Sequence, residues 1–252
     1  MRYEIIHGDA IDYMRTLASG SVDHVITDPP YDDEAHTMGR RTPVGTRGRP
    51  TKLEVRVIGF KPLSDETRLA FLEQCARVCS GWLLSFCQAE QLGAYRDDVR
   101  AVGGRWVRSQ FWRKRNAQPQ LTGDRPGVGY ESIATAWFGA GRSRWNGGGR
   151  HGWYEHEGIF DHNVEAGSAM RRKRLHETEK PLALMLELVE LFTKPGELVL
   201  DPFCGSATTG AACVRLGRDF VGVECQAKHV RTARRRMLDE LRTYVKPKRG
   251  KR

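Results

Sequence analysis

The segment that most constrains the fold is GELVLDPFCGSATTGAACVRLGRDFVGVE, residues 196–224. An apolar strand ends at Asp201, a turn rich in Gly, Ser and Thr follows, and Thr208–Leu216 has the pattern of a helix. A second strand, Phe220–Val223, is then followed by the acid Glu224. This is a β-turn-α-β unit, with an acid about 20 residues past the glycines, where a nucleotide ribose presents its hydroxyls. The unit predicts an adenosine-containing cofactor.

The turn in this unit differs from the dinucleotide fingerprint G-x-G-x-x-G. It reads DPFCGSATTG, with an acid and an aromatic residue at its start. An acid there repels a pyrophosphate and suits a cationic ligand group. Glycines at strand-helix turns are weak evidence alone, because they also allow positive φ or close packing. The preceding strand and the terminal acid strengthen the cofactor interpretation.

A second motif lies near the start of the chain, where an apolar segment, Val22–Thr27, runs into Asp28-Pro29-Pro30-Tyr31. Prolines lack a backbone donor and fix φ, so they hold neighbouring carbonyls rigidly. Taken alone, the motif is explained equally well by a proline-rich turn that ends a strand. Its interpretation as a site depends on the cofactor unit downstream.

The remaining pattern alternates strands with helices, which favours an α/β layered fold. Further strands are predicted at Tyr3–His7, Trp82–Cys87, Trp106–Trp112, Ser132–Phe138, Leu198–Leu200 and Phe220–Val223. Helices are predicted from Ala10, from Ser64 or Asp65, and across KPLALMLELVELFT. Three stretches lack periodicity and are predicted to be irregular: Asp32–Lys52, Arg113–Gly129 and Ala140–Arg174.

Composition limits the class of protein. The 252 residues suffice for one large domain with a proper core. A formal net charge of +10 favours an anionic partner such as nucleic acid. No apolar run is long enough to span a bilayer and no signal peptide is evident, so we expect a soluble, cytoplasmic protein. The six cysteines lack paired ligand spacing, so we expect buried thiols and no metal.

Together, TDPPY, DPFCGSATTG and the preceding HETEKP resemble the DNA amino-methyltransferases, which use S-adenosylmethionine to methylate exocyclic amines. The Asp-Pro-Pro-Tyr form resembles the adenine-N6 branch, and the catalytic motif precedes the cofactor motif, as in the β class. The resemblance implies a Rossmann-like α/β methyltransferase with a mainly parallel central sheet and a small inserted DNA-recognition region.

It further implies a single methyltransferase domain over residues 1–245, followed by a basic tail at 246–252. Within the domain we expect a catalytic half at 1–138, an irregular DNA-recognition insertion at about 139–175 and a cofactor half at 176–245.

The resemblance also assigns roles in catalysis. An exocyclic amine is a poor nucleophile because its lone pair is delocalised into the ring. A carboxylate from Asp28 and a carbonyl from Pro29 would accept its two N–H bonds and direct the lone pair at the sulfonium methyl. Tyr31 would stack on a base flipped out of the duplex. The predicted catalytic residues are Asp28, Pro29, Pro30 and Tyr31.

For the cofactor, the resemblance places Asp201, Phe203 and Gly205 along the methionine half, Asp9 near the adenine and Glu224 at the ribose. The predicted cofactor-binding residues are Asp9, Ala10, Asp28, Thr178, Lys180, Pro181, Asp201, Pro202, Phe203, Cys204, Gly205, Ser206, Glu224 and Cys225.

Purely structural roles stay open for several of these residues. Asp9 could cap the helix that begins at Ala10, Asp201 could be a turn acid, and Pro181 could start a helix. Two positions depart from the family pattern: Ala207 replaces the usual third glycine and Glu179 the usual Gln. Neither change removes a predicted catalytic group.

Double-stranded DNA is the predicted partner, and basic clusters interleaved with Trp, Gly and Asn are predicted to bind its phosphates. A solvated charge run is the alternative for any one cluster. The predicted DNA-binding residues are Arg40, Arg41, Arg47, Arg49, Arg113, Lys114, Arg115, Arg171, Arg172, Lys173 and Arg174. A homodimer is common in the family.

Three alternatives remain at this stage. The same fold could act on cytosine N4, although the family more often has Ser in place of Asp28 for that substrate. A non-catalytic DNA-binding subunit would be expected to have an eroded catalytic or cofactor motif, and neither motif is eroded here. A structured-RNA methyltransferase would use similar basic grooves. We expect a bacterial, archaeal or phage-encoded, site-specific adenine-N6 DNA methyltransferase.

Overall fold

The computed structural model describes residues 1–30, 63–117, 119, 123–158 and 179–244. Its strands are β1 Tyr3–His7, β2 His24–Thr27, β3 Trp82–Cys87, β4 Arg105–Lys114, β5 Tyr130–Trp137, β6 Trp153–His156, β7 Leu198–Asp201 and β8 Asp219–Glu224. Its helices are α1 Ala10–Thr16, α2 Asp65–Val78, α3 Leu92–Ala101, α4 Leu182–Phe192, α5 Thr208–Leu216 and α6 Ala227–Tyr244, with a short 3-10 turn at Ala89–Gln91.

The strands form one sheet in the order β1-β8-β7-β2-β3-β5-β4-β6. The first five are mutually parallel, β5 is antiparallel to both β3 and β4, and β6 runs parallel to β4. Parallel strands need crossover connections, and helices supply them on both faces of the sheet. The carboxyl ends of β1, β8, β7, β2 and β3 therefore meet at one edge.

Two apolar cores, one on each face of the sheet, form where the helices pack against the strands. One face packs Leu184 of α4, Ala212 of α5 and Met237 of α6, all fully buried. The other face packs Met14 of α1 and Phe71 of α2. A Cβ at Gly210 of α5 would lie 2.5 Å from the Phe220 ring, so this glycine lets the helix approach β8 closely.

The structure confirms the α/β fold with a mainly parallel sheet. The predicted bounds of β1, β3 and α5 are those observed, and Ser64 caps α2 by accepting a hydrogen bond from the backbone of Thr67 at 3.2 Å. Among the described residues, no helix combines the length and apolarity needed to cross a membrane.

Parts of the two later irregular stretches were predicted wrongly. β4 continues to Lys114, and Trp153–His156 forms β6 on its outer side. Tyr154 is buried there and its hydroxyl donates to the Gln110 side chain, so tertiary contacts order a segment without local periodicity. The prediction of six buried thiols is also wrong for Cys225, which is exposed. The Asp32–Lys52 stretch lies outside the described residues.

Candidate functional site

The carboxyl edge of the parallel strands brings both predicted motifs together. Because β2 and β7 are adjacent and parallel, Asp28-Pro29-Pro30 at the end of β2 lies beside the turn that follows β7. A hydrogen bond of 2.6 Å from the Thr27 hydroxyl to Asp201 Oδ1 joins the two strand ends. Motifs more than 170 positions apart in sequence thus share one site.

Asp201 organises the turn after β7. Its Oδ1 also accepts the backbone N–H of Phe203 at 3.2 Å, and its Oδ2 accepts the Thr209 hydroxyl at 2.7 Å. Burial raises its pKa to about 6 against the lowering effect of these hydrogen bonds. Its direct contact with a cofactor stays a prediction, since the described contacts of both oxygens are structural.

The pH dependence of folding should report on this buried carboxyl. Its folded pKa of about 6 lies above the unfolded value, so its contribution is fully present at low pH and is lost as pH rises through 6. At pH 7 this loss amounts to about 3 kcal/mol. We expect Asp201→Asn to gain stability relative to wild type between about pH 4 and 7, measured by urea unfolding. A difference independent of pH would contradict this.

The turn continues through two residues with positive φ. Gly205 has φ +51° and Ala207, at the family's third glycine position, has φ +59°. A left-handed conformation costs a residue with a Cβ roughly 1–2 kcal/mol, so surrounding contacts must hold Ala207 in place. Ala207 is fully buried, and its carbonyl accepts the Ala211 N–H at 3.0 Å, which starts α5.

Arg236 of α6 clamps this turn from behind. Its Nη1 donates to the Thr208 hydroxyl at 2.6 Å and to the carbonyl and hydroxyl of Ser206 at 3.1 Å. Its Nη2 donates to Glu179, the other departure from the family pattern. Both side chains are almost fully buried, so the acid at position 179 has a dedicated cation.

Lys180 lies against the catalytic candidate Asp28. Its Nζ donates to Asp28 Oδ2 and lies 3.1 Å from Glu131 Oε2. The ammonium also sits 4.9 Å from the centre of the Phe86 ring. Burial lowers the pKa of Lys180, but the two carboxylates outweigh this effect and the net shift is upward. The residue predicted to hold the cofactor therefore contacts the carboxylate that is predicted to be catalytic.

Asp9 and Glu224 flank the same edge. Asp9 Oδ1 accepts the N–H groups of Ile11 and Asp12 at 2.9 and 3.0 Å, so the helix-capping role is real. Glu224 is buried, and its Oε1 accepts the Gln226 N–H at 2.6 Å. Cys225 follows Glu224 directly and is exposed as a residue, and partial burial of its thiol together with the Glu224 carboxylate raises the pKa of that thiol. Ligand contacts by these residues stay predictions.

The side chains of the basic cluster at the end of β4 point in two different directions. Arg113 and Arg115 are more than half exposed and pair with Glu155 and Glu157 at 3.2 and 3.8 Å. Lys114 points the other way and lies 2.6 Å from Glu131 Oε1. Of these three residues, only the two arginines are largely exposed.

Other predicted residues fall outside the described part of the chain. They are Tyr31, Arg40, Arg41, Arg47, Arg49, Arg171, Arg172, Lys173, Arg174 and Thr178. In the part that is described, Ala10, Pro181, Pro202, Cys204, Gly205 and Ser206 accompany the residues above at the ends of β1 and β7 or the start of α4. No group of three or more His, Cys, Asp or Glu there could hold a metal ion.

Sequence reasoning missed Glu131 and Arg236. Glu131 sits in a strand without a motif, and Arg236 is one of many arginines in α6. For Arg236, the only signal in the sequence was its position on the buried face of that helix, one turn from Ala233 and next to Met237.

Solved structures share this architecture. The M1.HpyAVI–SAM complex matches with a TM-score of 0.65 and 24% identity, over 93% of this chain and 98% of that one. The PvuII DNA methyltransferase, described as cytosine-N4-specific, matches with a TM-score of 0.68 and 13% identity, over 97% and 92%. The fold is thus that of the Rossmann-like DNA methyltransferases.

Sequence comparison identifies the family to which the chain belongs. The N6_N4_Mtase family (DNA methylase) matches residues 96–235, which is more than half of the chain. The type II methyltransferase M.Cfr9I of Citrobacter freundii is 25% identical over 291 residues, covering 94% of this chain and 88% of the relative. This chain belongs to the DNA methylase family, whose members are amino-methyltransferases of the N6-adenine and N4-cytosine type.

Proposed function

We propose that this protein transfers a methyl group from S-adenosylmethionine to the N6 amine of adenine in double-stranded DNA. The observation that carries the proposal is the direct link between the ends of β2 and β7. The Thr27–Asp201 hydrogen bond of 2.6 Å sets the acceptor motif beside the turn of the cofactor unit. Adenine, and not cytosine, is favoured by the acid at Asp28.

The residues at this edge fit an adenosine-containing cation. Turn residues 201–206 contain an acid and no Lys or Arg, which suits a sulfonium and not a pyrophosphate. Glu224 lies at the end of β8, where a ribose hydroxyl would need an acceptor. When bound, S-adenosylmethionine supplies the electrophilic methyl group.

The chain's own residues prepare the amine. Asp28 and the Pro29 carbonyl accept its two N–H bonds, which concentrates the lone pair on nitrogen. The nitrogen forms a bond to the methyl carbon as the carbon–sulfur bond breaks, and one amine proton is lost to solvent. Tyr31 stacks on the flipped base, which offsets part of the few kcal/mol of unstacking.

The test is product analysis. The protein is incubated with tritiated S-adenosylmethionine and duplex DNA from a methylation-free host, and the DNA is digested to nucleosides. We expect the label in N6-methyldeoxyadenosine. Label in N4-methyldeoxycytidine alone would overturn the adenine assignment. When RNA is supplied as a competitor, label found in the RNA and not in the DNA would overturn the DNA assignment.

Arg113 and Arg115 are the described residues that we propose for phosphate contact. Replacing both by Gln should reduce the slope of log affinity against log salt by about 2, because each lost phosphate contact reduces it by about 1. Anisotropy of a labelled duplex at several salt concentrations measures this slope. Arg96→Gln, at a half-exposed arginine of α3, is the matched control. Equal slopes for the double variant and wild type would contradict the role.

Homodimer formation, the cytoplasmic location and the domain limits given above stay predictions of the sequence.

A further inference from the structure

Four charged side chains form a continuous row along the carboxyl edge of the sheet. Lys180 joins Asp28 at the end of β2 to Glu131 of β5, and Glu131 in turn joins Lys180 to Lys114 of β4. The distances from Glu131 are 3.1 Å to Lys180 Nζ and 2.6 Å to Lys114 Nζ. The row starts at the proposed catalytic carboxylate and ends beside the exposed Arg113 and Arg115 at the end of β4.

The position of Lys180 needs two carboxylates. Its side chain is 9% exposed and lies over the Phe86 ring, so its charge is largely removed from water. If the buried ammonium were paired with Asp28 alone, it would neutralise most of the negative charge of that carboxylate. Glu131 shares the ammonium, which leaves Asp28 more electron density to offer an amine N–H.

We propose that Glu131 is a positioning residue for methyl transfer: through Lys180 it fixes the Asp28 carboxylate and limits how far Lys180 neutralises it. This inference rests on the proposed function, in which Asp28 accepts the amine N–H. Glu131 itself touches neither amine nor cofactor. Its second contact, with Lys114, anchors it to β4.

The charges around Lys180 predict a signature in the pH profile. The Lys180 ammonium faces the carboxylates of Asp28 and Glu131, and Lys114 lies beyond Glu131. The nearby Cys87 thiol stays neutral, because burial raises its pKa to about 12. Burial lowers the pKa of Lys180 and the two carboxylates raise it above its ordinary value. Removing the Glu131 charge takes away one of the two effects that raise the pKa of Lys180, so this pKa falls and Lys180 loses its proton at a lower pH.

The experiment compares wild type with Glu131→Gln, which keeps size and removes charge. Rates of tritiated methyl incorporation into unmethylated duplex DNA are measured from about pH 7 to 10, and affinity for S-adenosylmethionine by calorimetry. We expect kcat to fall about 10- to 100-fold, since small misplacements of reacting groups cost that much. The variant should lose activity towards the alkaline end of this range, where wild type keeps its rate because its Lys180 pKa lies above the ordinary value. We expect its cofactor affinity to stay within about twofold of wild type.

Glu240→Gln is the matched control. Glu240 is also a partly buried carboxylate in an ion pair, with Arg215 at 2.7 and 2.8 Å, but it lies on α6 away from the row. We expect it to keep the wild-type rate and pH profile. This control shows that the loss of a partly buried, ion-paired carboxylate is not in itself enough to slow methyl transfer.

Several outcomes would overturn the inference. A wild-type rate and profile for Glu131→Gln would do so, as would a slower rate with the wild-type pH dependence and weakened cofactor binding. If Glu131→Gln does not fold, Glu131→Asp serves instead, because the shorter carboxylate cannot reach both lysines; full activity there would refute the role. A wild-type chain that transfers no methyl group refutes the proposed function, and this inference with it.

Discussion

Asp28→Asn is expected to reduce the rate of methyl transfer about 10³-fold, comparable to the loss of one preorganised group that stabilises developing charge. The amide has nearly the same shape as the carboxylate but lacks its charge, so it accepts the amine N–H more weakly. It also removes one of the two carboxylates that pair with the buried Lys180 ammonium. Tritium incorporation under single-turnover conditions measures the rate.

The fold and the cofactor site should survive this substitution. Asp28 is 22% exposed, and the turn after β7 is held by Asp201, Thr209 and Arg236. We therefore expect cofactor affinity to change far less than the rate. Asp97→Asn, at an exposed acid of α3, should leave the rate unchanged. A rate for Asp28→Asn within about threefold of wild type would show that the carboxylate is dispensable.

The strongest sequence predictions concern segments whose structure is set locally. The helix Thr208–Leu216 follows from a Gly- and Thr-rich start and Gly217 at its end, and the structure has those bounds, with Gly217 at φ +76°. The strand Trp82–Cys87 is buried on both faces, and its sequence is accordingly apolar at every position except Ser85. In both cases the local signal and the tertiary environment agree.

The features that the sequence did not reveal depend on neighbours far along the chain. Trp153–His156 becomes a strand because β4 pairs with it, and Glu187 of α4 holds His156 at 2.6 Å. Glu131 reaches the site because β5 lies beside β3 in antiparallel orientation, an arrangement that no local motif reports. The row from Asp28 to Lys114 exists only once four separate elements are assembled.

The departure at position 179 shows how two such distant residues depend on each other. A buried acid in place of the usual Gln requires a cation, and Arg236, 57 positions later, supplies it. The same guanidinium holds Ser206 and Thr208 in the turn. We infer that the pair substitutes for a neutral contact and makes the turn dependent on α6.

Arg236→Met tests that dependence and should be the most destabilising of the substitutions considered. It leaves the Glu179 carboxylate buried without its cation, which typically costs about 3–5 kcal/mol of unfolding free energy. Glu179→Gln should cost less, because Gln still accepts from Arg236 and the guanidinium keeps its hydrogen bonds to Ser206 and Thr208 after it loses the carboxylate. Urea unfolding measures both.

The matched control for Arg236→Met is Arg215→Met, which removes an α5–α6 ion pair at a 44% exposed arginine. Solvent screening limits that loss to about 1 kcal/mol or less. Cofactor affinity separates the two further: we expect Arg236→Met to weaken binding about tenfold by loosening Ser206 and Thr208, and Arg215→Met to leave it unchanged. Equal losses of stability and affinity in both variants would mean that Arg236 only joins helices, and that the turn holds its shape without it.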